Sequence, residues 1–284
     1  MAVSALPPST TPALFSLGNR TTLVTGGARG LGLTVAHALL ECGSDVVAFD
    51  LLPPVEDEWA SAQAAATEAG TTLTYVALDV TDGDAVDLAV ADAFKNARQS
   101  HPVRGLFHAA GIQLLCAATE LTPGQWRKII DVNLTGSYLL AAAFARSFFA
   151  AYPQAADGTL PTSQAASIVF VASMSGRVAN LGIDCAPYNA SKAGVSQLAR
   201  NLAMEWGKKG IRVNSLSPGY IRTALTDVLL KQRPDFEETW TAGSLMGRLS
   251  TPDEFRGPVV FLLSDASSFM TGSDLVVDGG HTAV

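Results

Sequence analysis

The chain reads as an α/β protein: one domain on a doubly wound parallel sheet of about seven strands, with helices on both faces. Three observations carry this reading. Short apolar or β-branched runs alternate with helical periodicity along the whole of the 284 residues. The first run passes directly into a glycine-rich turn and then a helix. No internal repeat or linker of domain-separating length interrupts the alternation.

Composition agrees. Hydrophobic residues make up 48% and charged residues 16%, which is globular and leaves ample material for one large core. A net charge of −7 without any Lys/Arg cluster excludes nucleic acid as the natural partner. Cys42, Cys116 and Cys185 are far apart and form no C-x-x-C pair, so reduced thiols in a cytoplasmic protein are expected. His37, His101, His108 and His281 lack ligand spacing, and no metal is expected. Residues 1–17, rich in Pro, Ser and Thr with no basic residue, read as a flexible arm rather than a secretory signal. The domain then spans 18–284. The most apolar stretch, 136–152, is short for a membrane span and contains Arg146, so no membrane is expected.

In order, the run 21–25 is the first strand, followed at once by Gly26-Gly-Ala-Arg29-Gly30-Leu31-Gly32 and a helix that stops at Gly43. Glycines there let the backbone turn tightly and approach a pyrophosphate at the positive end of the helix. The second strand, 45–50, ends in Asp50, where a carboxylate would accept hydrogen bonds from an adenosine ribose and repel a 2′-phosphate. Arg29 pulls the other way, since it could meet that phosphate. A helix from Pro53-Pro54 to 69 closes at Gly70. The third strand, 73–78, leads to Asp79 and Val80, and 81–84 caps the next helix. The fourth strand exits through His108, Ala109, Ala110 and Gly111. Thr122-Pro-Gly-Gln125 is a capping box opening the helix that carries Asn133, and 154–166 reads as a surface loop.

The run 168–172 is the fifth strand, with Ser173 just beyond it. Pro187 favours a helix start, which sets Tyr188 and Lys192 four residues apart on one face. An ammonium beside a phenol favours the phenolate, and a phenol tuned toward working pH can exchange a proton with an alcohol or carbonyl oxygen. That helix runs to about 207. A strand over 211–217 turns at Pro218-Gly219, and the excursion over about 220–250 is expected to be a substrate lid. Its expected apolar residues are Leu225, Leu229, Leu230, Trp240, Leu245 and Met246. Thr251-Pro-Asp-Glu254 caps a helix to 263, and 274–278 closes the sheet.

Taken together, Thr25-Gly26-x-x-x-Gly30-x-Gly32, Asp79, Asn133, Ser173, Tyr188-x-x-x-Lys192 and Pro218-Gly219 resemble the short-chain dehydrogenase/reductase family over about residues 17–280. Ser-Met-Ser-Gly176 and Tyr188-Asn-Ala-Ser-Lys-Ala-Gly194 are most similar to fungal members acting on polyols and ketoses, of the sorbose reductase or arabinitol dehydrogenase kind. The resemblance implies a Rossmann-type fold and an NAD(P)-dependent oxidoreductase of secondary alcohols and ketones. It implies that Tyr188 is the general acid/base, that Lys192 lowers its pKa and holds the nicotinamide ribose, and that Ser173 polarises the reacting oxygen. Asn133 would interrupt its helix to hold a water linking Lys192 to solvent. Asp79 and Val80 would meet the adenine, Ala109 and Gly111 would border the cofactor, and Pro218, Gly219, Ile221 and Thr223 would flank the nicotinamide end.

NAD is the expected cofactor on the strength of Asp50, with NADP the alternative. Relatives are commonly tetramers, so a homo-oligomer (tetramer or dimer) is expected through the helical stretches 139–149 and 195–206. Two other functions fit: reduction of a bulkier ketone, such as a 3-oxoacyl thioester or a secondary-metabolite intermediate, and non-catalytic dinucleotide binding. One departure stands out. The family's usual Asn-Asn-Ala-Gly after the fourth strand is His108-Ala-Ala-Gly111 here, so the contacts of those asparagines fall to backbone and to His108.

Overall fold

The structure is a computed structural model that describes residues 10–223, 226–227, 230–231 and 233–284. A short helix α1 (Thr11–Leu14) precedes β1 (Arg20–Thr25), α2 (Gly30–Glu41), β2 (Ser44–Asp50), α3 (Glu56–Ala69), β3 (Leu73–Ala77) and α4 (Gly83–Asn96). Then follow β4 (Val103–His108), α5 (Pro123–Ile130), α6 (Gly136–Ala151), β5 (Ala166–Val171) and α7 (Ala186–Trp206). The chain closes with β6 (Ile211–Pro218), α8 (Pro234–Ala242), α9 (Arg256–Leu263) and β7 (Asp274–Val277).

Seven parallel strands lie in the order β3-β2-β1-β4-β5-β6-β7. The order reverses between β1 and β4, and such a switch point opens a crevice at the carboxyl ends of the strands. Burial on both faces explains the near-continuous apolar strand runs. Leu106, Ile168 and Phe170 face α4, α6 and α7, where they meet Val90, Phe144, Phe148 and Val195. Their neighbours Phe107 and Val169 face α2, α3 and α9, among Leu39, Ala62, Val259 and Leu262.

The caps behave as their residues dictate. Thr122 and Gln125 form the reciprocal box at α5, Thr251 and Glu254 another before α9, and Asp82 caps α4 by accepting the Ala85 N–H. Gly70 ends α3 with φ +69°, a conformation that suits glycine.

Some boundaries differ from the sequence reading. Residues 1–9 of the expected arm lie outside the described residues. Residues 11–14 form a turn of helix, and Leu17 is fully buried with its N–H donating to the Cys42 carbonyl, so the domain begins before 18. α3 starts at Glu56 rather than at Pro53-Pro54. The 154–166 loop is anchored, since Ala155 is buried and Leu160 packs over Gly210. The stretch 123–151 has the length and apolarity of a membrane span, but Leu140, Phe144 and Phe148 are spent on the core beneath the sheet.

Candidate active site

Gly26–Gly32, Asp50, Asp79, Ser173 and Pro218-Gly219 follow the carboxyl ends of β1, β2, β3, β5 and β6. The glycine turn after β1 is built as a cradle. Gly26 has φ +64°, and a Cβ there would stand 3.0 Å from the Ala110 nitrogen. A Cβ on Gly32 would fall 2.0 Å from the Gly26 carbonyl oxygen, so only hydrogen fits where α2 crosses the turn. Gly30 has φ +53° and faces open space at the start of α2. Arg29 at the N-cap supplies no side-chain cap, and the first-turn N–H groups have no partner within the helix. Leu31, half-buried, ties that first turn to the core behind it. The turn therefore fits a dinucleotide pyrophosphate.

Asp50 ends β2 beside this turn and accepts the Ala28 N–H at 3.1 Å and the Leu52 N–H at 3.1 Å. Exposed Arg29 donates to the Pro53 carbonyl at 2.6 Å, on the same rim. Asp79, exposed just past β3, is held by Thr81, whose N–H and hydroxyl both donate to one carboxylate oxygen. Val80 is buried, and a Cβ on Gly136 would meet it at 2.9 Å, so Gly136 lets α6 come in close.

Asn133 sits in a single π-helical turn (Asp131–Thr135) between α5 and α6. Such a bulge is common at functional sites. Its carboxamide accepts the Ile112 N–H at 2.8 Å and donates to the Ile112 carbonyl at 2.9 Å and to Ser191 Oγ at 3.0 Å. Gly111 separates Asn133 from Lys192: a Cβ there would lie 3.3 Å from Asn133 Oδ1 and 3.4 Å from Lys192 Nζ. Gly111 thus lies between the Asn133 carboxamide and the Lys192 ammonium, with little room for a side chain.

Pro187 lies in the first turn of α7. Ser173, buried just past the end of β5, accepts the Ser175 N–H at 3.1 Å and lies near enough to Tyr188 to favour its phenolate. Lys192 is buried, donates to the Val171 carbonyl at 2.7 Å, and lies 5.6 Å from the Tyr188 ring centroid. Burial brings its ammonium down to about 8. Here the expected electrostatics need correction. Burial pushes the Tyr188 phenol above its ordinary value, and the group that opposes this is Ser173 rather than Lys192. The ammonium points at a carbonyl and is itself poorly solvated, so it does little to acidify the phenol.

Pro218 ends β6, the Gly219 N–H donates to the Val277 carbonyl at 3.0 Å, and a Cβ on Gly219 would meet Asp278 at 2.8 Å. Ile221 pairs with Ser250, and the Thr223 hydroxyl bonds Thr226 at 2.9 Å, capping a local turn. Leu225 and Leu229 lie outside the described residues. Leu230, Phe236 and Trp240 cluster with Tyr220, Ile183 and Leu249. Leu245 and Met246 are exposed and lie against the Gly279–Gly280 turn.

His108 takes over the missing asparagine contact. Its Nδ1 is 2.6 Å from Thr25 Oγ1, which also accepts the Ala110 N–H at 3.2 Å, so β1 and the β4 exit are tied together. Its Nε2 is buried without a partner among the described residues. Burial, with the nearby Lys192 charge, holds the imidazole at about 3. Because the unfolded imidazole protonates near 6.5, unfolding takes up a proton between these values. Stability is therefore full above about 6.5 and is lost as pH falls, by about 1.4 kcal/mol per pH unit. Thermal melts at pH 7.5 and 5 should show this loss, and His108→Asn should flatten it; an equal slope in the variant would remove His108 from the acid sensitivity.

Sequence reasoning missed a polar group at the start of α7, formed by Gln113, Asn180, Cys185, Asn189 and Tyr220. Cys185 Sγ lies 3.1 Å from Asn189 Oδ1 and near Gln113, and Asn180 Nδ2 donates to the Tyr220 hydroxyl at 2.9 Å. The only signal was the aromatic directly after the Pro218-Gly219 turn.

A family model described as enoyl-(acyl carrier protein) reductase matches residues 26–282. The chain belongs to the short-chain dehydrogenase/reductase family. Two fungal relatives align along nearly the whole dehydrogenase/reductase chain. A short-chain dehydrogenase/reductase of Aspergillus versicolor, notP′, is 48% identical and covers 94% of this chain and 89% of its own. The ribulose-forming D-arabinitol 2-dehydrogenase of Candida tropicalis is 35% identical, covering 94% of each. A solved gluconate 5-dehydrogenase from Burkholderia cenocepacia, in complex with NADP and tartrate, superposes with a TM-score of 0.81 at 30% identity, covering 95% of this chain and 98% of that one. Family members bind a nicotinamide dinucleotide, and the glycine cradle here has the shape for one.

Proposed function

We propose that this chain transfers a hydride between a nicotinamide dinucleotide and a secondary alcohol or ketone, with a polyol and its ketose as the substrate pair. The observation that carries this is the grouping of buried Ser173 and buried Lys192 about the Tyr188 phenol, with Ser173 favouring the phenolate and Lys192 Nζ 5.6 Å from the ring. The named activities of the fungal and bacterial relatives, on arabinitol and gluconate, support the substrate class. The nicotinamide, when bound, supplies the hydride donor or acceptor. The chain's own share is orientation and proton handling. Ser173 fixes the substrate oxygen, and Tyr188 gives it a proton in reduction or takes one in oxidation. Lys192 holds the ribose and, with Asn133, passes the proton toward solvent.

Gly26, Gly30, Leu31 and Gly32 hold the pyrophosphate, Asp79 and Val80 meet the adenine, and Ala109 and Gly111 border the cofactor. Pro218, Gly219, Ile221 and Thr223 flank the nicotinamide, and 220–250 forms the lid. NAD(H) is the preferred cofactor, because Asp50 faces the place of a 2′-phosphate and a buried like-charge clash is hard to relieve. Arg29 supports NADP(H), as does the NADP in the solved relative. Asp50→Ser should raise the KM for NADH about tenfold while improving use of NADPH. Paired KM values check this, and an unchanged ratio would take Asp50 out of cofactor choice.

Three free thiols support a reducing, cytoplasmic setting. A homotetramer is proposed through the outer faces of α6 and α7, where Tyr138 is exposed beside an open groove of about 490 Å³ that includes Leu134, Leu198 and Asn201. The inward residues of 139–149 serve the core, so this face is smaller than the sequence pattern suggested. Sedimentation analysis tests it, a monomer at micromolar concentration being the contrary result.

A second reading, reduction of a bulkier ketone, is favoured by the apolar cluster of Leu230, Phe236 and Trp240. A panel of polyols, ketoses and 3-oxoacyl thioesters followed at 340 nm with both cofactors separates the two. Turnover confined to thioesters would overturn the polyol reading.

A further inference from the structure

We propose that Tyr220 is a specificity-determining hydrogen-bond donor that grips a second oxygen of the substrate, on the carbon next to the reacting one. The site would then select α-hydroxyketones and vicinal diols over simple ketones and alcohols. This rests on the oxidoreductase reading above and names the chemistry that reading leaves open.

The Tyr220 ring is held on both sides. It stacks on Trp240 with centroids 4.2 Å apart and planes at 5°, and His281 meets it edge-on at 5.5 Å. A side chain fixed in this way loses little freedom when it binds something. Its hydroxyl is half used. Asn180 is buried, and its Oδ1 receives Asn189 Nδ2 at 3.1 Å, while the Cys185 thiol has its shorter contact with Asn189 Oδ1 at 3.1 Å. With the carboxamide oxygen occupied by the Asn189 donor, its Nδ2 is the group 2.9 Å from the Tyr220 oxygen. The phenolic oxygen therefore accepts, and its own O–H has no acceptor among the described residues.

Burial pushes the Tyr220 phenol above its ordinary value, so the proton stays on at neutral pH. Leaving such a donor unpaired in a partly dry site is costly, and a substrate oxygen would repair it.

The donor is also in the right neighbourhood. Asn180 links the two phenols: it donates to the Tyr220 hydroxyl at 2.9 Å and accepts at 3.1 Å from Asn189, the residue next to Tyr188, with the Cys185 sulfur of the α7 start 3.8 Å from the same oxygen. Tyr220 follows the Pro218-Gly219 turn on the lid side of Asn180. A substrate bearing an oxygen on each of two adjacent carbons can occupy both. A site built to bond a hydroxyl rejects the analogue that lacks it far more strongly than an apolar pocket rejects a methylene.

The test uses a matched pair, acetoin and 2-butanone, reduced by wild type, Tyr220→Phe and Asn180→Asp. Wild type should favour acetoin in kcat/KM by about 10² or more. Tyr220→Phe keeps the ring stack and should bring that ratio to about unity, chiefly through a higher acetoin KM, with 2-butanone unchanged within about twofold. Asn180→Asp should do the same by a different route, because a carboxylate would accept the Tyr220 proton and consume the donor. It also serves if the phenylalanine variant folds poorly. Retention of the acetoin preference in both variants overturns the proposal. Wild type that reduces 2-butanone as well as acetoin overturns it while leaving the oxidoreductase reading intact; wild type that reduces neither of these nor any ketose or 3-oxoacyl thioester of the panel above overturns both.

Discussion

Replacing Tyr188 by Phe should lower kcat in both directions by about 10³- to 10⁴-fold while leaving dinucleotide affinity within about twofold. The Phe ring keeps the packing of α7 against β5 and removes only the oxygen that moves the proton. Ser173 remains, but an alcohol hydroxyl near its ordinary pKa is a poor substitute. The pH profile follows from the direction of the phenol's shift. Alcohol oxidation needs the phenolate, and burial holds the phenol above its ordinary value, so oxidation should rise with pH through the alkaline range. Ketone reduction needs the phenol and should be level at neutral pH and fall only when it ionises. Fluorescence titration with NADH and initial rates from pH 6 to 10 test both parts. Undiminished turnover in the variant would remove Tyr188 from proton transfer.

Gly32→Val should be the most damaging change outside the reacting groups. A Cβ would stand 2.0 Å from the Gly26 carbonyl oxygen, and that contact is with backbone rather than with the end of a flexible side chain. Either α2 moves away from the sheet or the turn after β1 opens, and both spoil the cradle. The expected cost is more than about 3 kcal/mol of stability, in the range reserved for overpacking in a close-packed core. Dinucleotide affinity should fall at least about 10²-fold, which corresponds to losing about 3 kcal/mol of binding. Melting curves and cofactor titration report the two effects separately. A variant with native melting temperature and native affinity would contradict the close approach.

The inner strands were legible because β2, β4, β5 and β6 are almost wholly buried on both faces, so their apolar runs are nearly unbroken and end in turn residues, whereas the edge strands β3 and β7 are partly exposed. Tyr188 and Lys192 were legible because a helix repeats every 3.6 residues, which needs no tertiary information. Asn133 was legible as a residue but its backbone was not. The π turn there is imposed by the Ile112 peptide and Ser191, which arrive from β4 and α7. The Asn180, Cys185, Asn189 and Tyr220 group was invisible for a similar reason, since three elements converge only once the sheet has formed. The protonation of Tyr188 misled because spacing reveals a neighbouring charge but not the burial that outweighs it.

The most direct measurement is a crystal structure of the ternary complex with NADH and a bound ketose or α-hydroxyketone. The account predicts the carbonyl oxygen within hydrogen-bond reach, about 2.6–3.2 Å, of both Tyr188 Oη and Ser173 Oγ, with its carbon facing the nicotinamide. A substrate oxygen bound elsewhere, with neither hydroxyl touching it, would contradict the account.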